Sequence, residues 1–188
     1  MKKRNTILTG PTYLTILRML LAILFVIFTM LPATWAKILA LVTFILAAIT
    51  DKIDGVWARK KNLVTDLGAF LDPLADKMLV NLGFLVLVYQ DIVPLWVFAI
   101  ILVRDFAVDG MRMTIAKDGV IVAASFYGKL KTTAQMLSLA ILLFNTIINS
   151  EIIGIIGNIL LYIALALTIF SGIDYLAKGC NKIIKPKK

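Results

Sequence analysis

The sequence predicts an all-α, polytopic membrane protein with six transmembrane helices, and three observations predict it. Of its 188 residues, 61% are hydrophobic, and the mean hydropathy is +0.95. Apolar runs recur along the chain, two of them uncharged over 19 and 22 residues, against the ~20 that the hydrocarbon of a bilayer demands. The basic residues alternate in the way a membrane imposes, with nineteen of twenty in the N-terminal segment, the 2–3 and 4–5 connections, the C-terminal tail or the helix ends adjoining these. The length fits one domain spanning 1–188.

The elements follow in order. Lys2-Lys3-Arg4 precedes an apolar stretch from Thr12 to Met30, whose helix begins near Pro11 and Thr12, because proline is tolerated in a first turn. Arg18 interrupts what would be the hydrophobic region of a signal peptide, and 18 residues from Met19 to Ala36 continue beyond it, so this reads as a retained helix. Pro32 and Ala33-Thr34 then reverse the chain. The uncharged runs Ile38–Thr50, Met78–Gln90 and Ile92–Val103 hold 13, 13 and 12 residues and cannot span alone. Each must be completed by the charged segment beside it, which predicts helices near 37–60, 67–90 and 92–114. Thr132–Ser150 and Ile152–Ile173 are long enough to span almost unaided. Gly154, Gly157, Ala164 and Ala166 supply small residues for close helix approach, serving ordinary packing and a homodimer seam equally well.

Composition excludes several chemistries. There is no histidine and a single cysteine, Cys180, so an intrachain disulfide, a Cys/His zinc site and histidine acid–base catalysis are all ruled out. A net charge of +9 on so apolar a chain points to anionic lipid headgroups and phosphate substrates, and not to nucleic acid. The segments after helices 1, 3 and 5 hold one basic residue, Lys37, so both termini are expected on the cytoplasmic side of a bacterial-type cytoplasmic membrane. The five lysines from Lys178 to Lys188 are expected to lie on membrane lipids.

Acidic residues stand where a membrane tolerates them least. Asp51, Asp54, Gly55, Ala58 and Arg59 share one helical face, and Gly68, Asp72 and Asp76 share another. Four converging carboxylates in low dielectric repel unless protonated or shared with cations, so the set calls for divalent metal, and oxygen-only ligands favour Mg²⁺, Mn²⁺ or Ca²⁺. Helix capping, or pairing with Lys52, Lys77 and Arg59, is the plainer reading, but capping does not need four carboxylates at regular spacing. Gly55 and Gly68 are costly in helices unless backbone must approach a ligand or a neighbouring helix. Counting 13 or 14 residues from the outer turns places Asp51, Asp76, Arg104 and Arg18 ~20 Å inward. Asp51 is thereby level with Asp76, and Asp54 with Asp72.

A second, basic constellation follows. Arg104 and Arg112 are eight residues apart and share a face, and Lys129 and Lys131 precede the fifth helix at the same membrane level. Arg104, so deep, needs a partner, for which a ligand phosphate, a motif aspartate and Asp105 are equal candidates.

The spacing Asp-x2-Asp-Gly-x2-Ala-Arg-x8-Gly-x3-Asp-x3-Asp, filled by Asp51, Asp54, Gly55, Ala58, Arg59, Gly68, Asp72 and Asp76, resembles the signature of the CDP-alcohol phosphotransferases. The resemblance implies a membrane enzyme with two divalent cations, Mg²⁺ or Mn²⁺, that moves a phosphatidyl group from a CDP-linked lipid to an alcohol and releases CMP. It implies that Asp51, Asp54, Asp72 and Asp76 hold the metals, that Asp76 is the catalytic base, and that Gly55, Ala58, Arg59 and Gly68 line the nucleotide. Pro11-Thr12-x2-Thr15-x2-Arg18, the Arg104-Asp105 pair, Arg112 and Gly128-Lys129-x-Lys131-Thr132-x2-Gln135 further resemble the branch of that family acting on CDP-diacylglycerol and sn-glycerol 3-phosphate. In that branch Glu is usual where Asp105 stands, and Asn is common where Thr9 stands. Arg104, Arg112, Lys129 and Lys131 would hold the acceptor phosphate. Inositol phosphate or another alcohol is the near alternative. An Asp-rich prenyltransferase is a rival of similar chemistry, and an intramembrane, carboxylate-lined divalent cation transporter is one of another class.

Overall fold

A computed structural model describes residues 10–61, 66–117 and 126–184, with side chains described over 13–50, 74–75, 77–111, 128, 130–175 and 177. Among the described residues the chain is entirely helical, with six helices and no strand. They are α1 (Gly10–Thr29), α2 (Thr34–Lys61), α3 (Asp66–Tyr89), α4 (Leu95–Lys117), α5 (Phe126–Ile148) and α6 (Glu151–Ile184).

The number and order of helices agree with expectation, but several ends are corrected. The fifth helix begins at Phe126 and not near Thr132, so Lys129 and Lys131 lie inside it instead of before it. The sixth runs on to Ile184, through Lys178 and Lys182. Lysine is a good helix former, and an uncharged run therefore marks where a membrane could end and not where a helix does. At the start of α4 the correction has the opposite sign. Pro94 lacks an amide to donate, while its carbonyl accepts from Val97 N at 3.0 Å and Phe98 N at 3.5 Å, which opens the helix at Leu95 and not at residue 92. The turns before α4 and α6 use Asp91 and Asn149 at φ 56° and 53°, a left-handed conformation that short polar side chains tolerate. Lys2-Lys3-Arg4, Thr9 and the last four residues lie outside the described residues.

The chain divides into two compact units, one of Met1–Leu87 with Leu143–Asn149 and the other of Val88–Leu142 with Ser150–Lys188. In the first, α1 packs on α2. Thr15, Arg18, Ala22 and Phe25 form the buried stripe of α1, and Ala36, Ala40, Phe44 and Ala47 that of α2, each at helical spacing. Alanines let the backbones approach, and the Phe25 and Phe44 rings meet with centroids 5.6 Å apart. Lys37 donates from Nζ to the Thr146 carbonyl at 3.1 Å. That carbonyl lies in the last turn of α5, where no helical amide remains to take it.

In the second unit α4 packs on α6. The buried stripe of α6 is Leu161, Ala164, Leu165, Thr168, Ser171 and Tyr175, whereas Ile152, Ile155, Ile159, Ile163, Phe170 and Ile173 are exposed, Ile152 to 71%. Hydroxyls and Ala164 face inward beside two leucines and a tyrosine, while isoleucines and a phenylalanine face outward, an exposure of hydrocarbon that water does not select. Leu130–Ile148 and Glu151–Tyr175 are long and apolar enough to cross a membrane. A Cβ at Gly157 would stand 2.6 Å from Leu142 Cδ2, and the Gly157 carbonyl accepts from Ser138 Oγ at 3.0 Å. The smallness of this glycine thus serves packing of α6 on α5 within the chain itself.

Candidate active site

The acidic motif is carried by the two helices on which its periodicity was read. Asp51, Asp54, Gly55, Ala58 and Arg59 stand near the end of α2, and Gly68, Asp72 and Asp76 near the start of α3. Their side chains lie outside the described set. Pro73 sits within α3 and withholds an amide from the carbonyl four residues earlier, between the motif's second glycine and its third aspartate. The donors on offer are four carboxylates, with no thiol or imidazole in the motif, and this chemistry fits hard divalent cations. Among the described residues there is no group of three acidic, cysteine or histidine side chains that could hold a metal.

The basic constellation can be followed further, within the second unit. Arg104, on α4, spends three of its five N–H groups on protein. Its Nε donates to the Thr168 carbonyl at 3.2 Å, Nη1 to Asp105 Oδ1 at 3.0 Å, and Nη2 to Ser171 Oγ at 2.7 Å. Lys131 Nζ, on α5, donates to that same Asp105 oxygen. Asp105 therefore provides the partner that depth demanded of Arg104. The Lys131 residue is 5% exposed, so its ammonium needs partners inside the protein, of which that carboxylate is one.

Gln135 completes the cluster. Its Nε2 donates to Thr168 Oγ1 at 3.3 Å, and Thr168 Oγ1 donates to the Ala164 carbonyl at 2.6 Å. Hence the residues of α5 that sequence grouped as a motif, Lys131 and Gln135, are joined to α4 and α6 by side-chain hydrogen bonds. Arg112 and Lys129 lie on α4 and α5, with side chains outside the described set. An open groove of about 450 Å³ runs along α4 and α6, and its lining is apolar except for Arg104.

Sequence reasoning missed Thr168, Ser171 and Gly172. The available signal was a short polar interruption in an otherwise apolar run, with Thr168 and Ser171 three apart on one face.

The described residues are all helical, with four motif aspartates on consecutive helices and an Arg104–Asp105–Lys131 cluster. A family model described as CDP-alcohol phosphatidyltransferase matches residues 8–170, and the chain belongs to that family. The family is generally metal-dependent, and the two long apolar helices together with the family mark the chain as a membrane protein. Among similar proteins, the CDP-diacylglycerol--glycerol-3-phosphate 3-phosphatidyltransferase of Bacillus subtilis is 40% identical over 121 residues, or 64% of this chain and 63% of that one. Proteins of the same name from Shigella flexneri and Escherichia coli are 41% identical over 172 residues, or 89% of this chain and 92% of theirs.

Proposed function

We propose that this chain is a phosphatidylglycerophosphate synthase, transferring the phosphatidyl group of CDP-diacylglycerol to sn-glycerol 3-phosphate. The observation that carries the reading is the 41% identity over 89% of the chain to enzymes bearing that activity in their name. Within it, residues 1–188 act as one family domain with six membrane spans.

Asp51, Asp54, Asp72 and Asp76 would hold two divalent cations, Mg²⁺ or Mn²⁺, which would offset charge on the CDP pyrophosphate and the transferring phosphoryl group. Gly55, Ala58, Arg59 and Gly68 line the cytidine nucleotide. Arg104, Arg112, Lys129 and Lys131 hold the phosphate of the acceptor, whose hydroxyl oxygen attacks the phosphorus that bears diacylglycerol. A new bond forms between that oxygen and the phosphorus, and the bond from phosphorus to the CMP oxygen breaks. The hydroxyl proton passes to the Asp76 carboxylate, and CMP leaves. Arg104 and Lys131 both meet the Asp105 carboxylate, which draws two cations together where the phosphate is to be held.

Purified protein in detergent should release CMP from CDP-diacylglycerol when glycerol 3-phosphate is added, and not when plain glycerol is added. CMP release only with an inositol phosphate would move the acceptor within the family. A carboxylate-lined transporter would release none and would act only in sealed vesicles.

The reaction is placed at the cytoplasmic face, with both termini there, because nineteen basic residues stand against one. Cys180 is a native probe of this topology. A thiol reagent that cannot cross membranes should label Cys180 in inside-out vesicles and leave it unmodified in intact cells, and labelling from outside would reverse the assigned orientation.

A further inference from the structure

Arg104 is placed by α6 as much as by its own helix. Two of its three protein hydrogen bonds run to that helix, to the Thr168 carbonyl and to Ser171 Oγ. The Thr168 carbonyl also accepts from Ser171 Oγ at 3.2 Å, so the two acceptors are tied to each other. A helical carbonyl points toward the residue four positions on, here Gly172. A Cβ at Gly172 would lie 2.9 Å from Arg104 Cγ and 3.4 Å from its Nε. The arginine stem therefore passes through the space that the glycine leaves. From the other side, Gln135 fixes the Thr168 hydroxyl. Thr168 and Ser171 are fully buried, and Ser171 and Gly172 stand beyond the region that the family model matches.

We propose that Thr168, Ser171 and Gly172 form a seat on α6 that positions the Arg104 guanidinium, leaving its two remaining N–H groups as a preformed fork for the phosphate of the acceptor. Those two groups take no partner among the described residues. A planar guanidinium whose other donors are already fixed meets a phosphate in bidentate fashion without first losing the rotamer freedom of a loose side chain. Asp105 does not by itself supply this, because one carboxylate contact leaves the plane of the guanidinium free to turn about that contact. The inference rests on the reading that Arg104 belongs to the acceptor site, and it makes the three α6 residues positioning residues for acceptor affinity.

The test is steady-state kinetics of Gly172→Ala and Ser171→Ala in detergent, with glycerol 3-phosphate and CDP-diacylglycerol varied separately. Gly172→Ala displaces the stem, and Ser171→Ala removes one charge-assisted acceptor, so each should raise the KM for glycerol 3-phosphate about tenfold. The KM for CDP-diacylglycerol and kcat should stay within about threefold, a split that a general loss of packing would not produce. Because alanine at 171 is smaller than serine, that variant keeps the proposal testable if Gly172→Ala fails to fold. An unchanged acceptor KM in Ser171→Ala, or equal rises for both substrates, would overturn the seat while leaving the enzyme's reaction intact. Wild-type protein that releases CMP only with an unphosphorylated alcohol would instead overturn the acceptor reading, and the fork with it.

Discussion

Asp51→Asn and Asp72→Asn should each abolish CMP release while the protein remains folded and extractable in detergent. Asparagine keeps the size and one oxygen of aspartate but loses the charge, so a metal site built from four carboxylates loses a ligand without a cavity appearing. Metal-site substitutions of supporting groups alone cost about 10- to 100-fold, and removal of a direct ligand should exceed this. The two positions lie on different helices, α2 and α3, so an equal loss from both would show that the helices contribute to one site. Thermal unfolding of the variants provides the control. Burying one carboxylate fewer relieves repulsion in the absence of metal, and the variants should unfold no earlier than wild type in chelator. Near wild-type CMP release by either variant at saturating Mg²⁺ or Mn²⁺ would contradict the two-metal reading.

Arg112→Gln should act on the acceptor and not on the nucleotide lipid. Arg104 and Lys131 are each committed in part to Asp105, and Arg112 stands eight residues further along α4. Loss of one charge-assisted hydrogen bond to phosphate costs about 1.5 to 3 kcal/mol, or roughly ten- to a hundredfold in KM for glycerol 3-phosphate. The nucleotide is assigned to residues of α2 and α3, and the KM for CDP-diacylglycerol should stay within about threefold. Plain glycerol should remain a poor acceptor for both proteins. A variant that weakens both substrates equally would show that Arg112 serves topology or folding.

What the sequence made legible, and what it hid, has a physical pattern. The acidic motif could be read because neither capping nor surface ion pairing requires eight fixed positions at helical spacing in so apolar a chain. The helix count could be read because hydrocarbon thickness sets a minimum run. Helix ends could not, since Lys129, Lys131, Lys178 and Lys182 end an apolar run without ending a helix. Arg104 was recognised as needing a partner, but three candidates remained, and only side-chain geometry selects Asp105. Thr168, Ser171 and Gly172 escaped altogether, because a hydroxyl and a glycine in a hydrophobic helix read as packing residues until an arginine from another helix is found against them. A carbonyl acceptor such as that of Thr168 has no side-chain signature at all.

The central claim is that this chain joins a phosphatidyl group to glycerol 3-phosphate. It is tested most directly by incubating purified wild-type protein in detergent with CDP-diacylglycerol, Mg²⁺ or Mn²⁺ and radiolabelled glycerol 3-phosphate, then measuring label in the organic phase and CMP in the aqueous phase. The account predicts label entering lipid in equal amount to the CMP released, with neither product formed in excess chelator. CMP released without label entering lipid, or no CMP released at all, would contradict it.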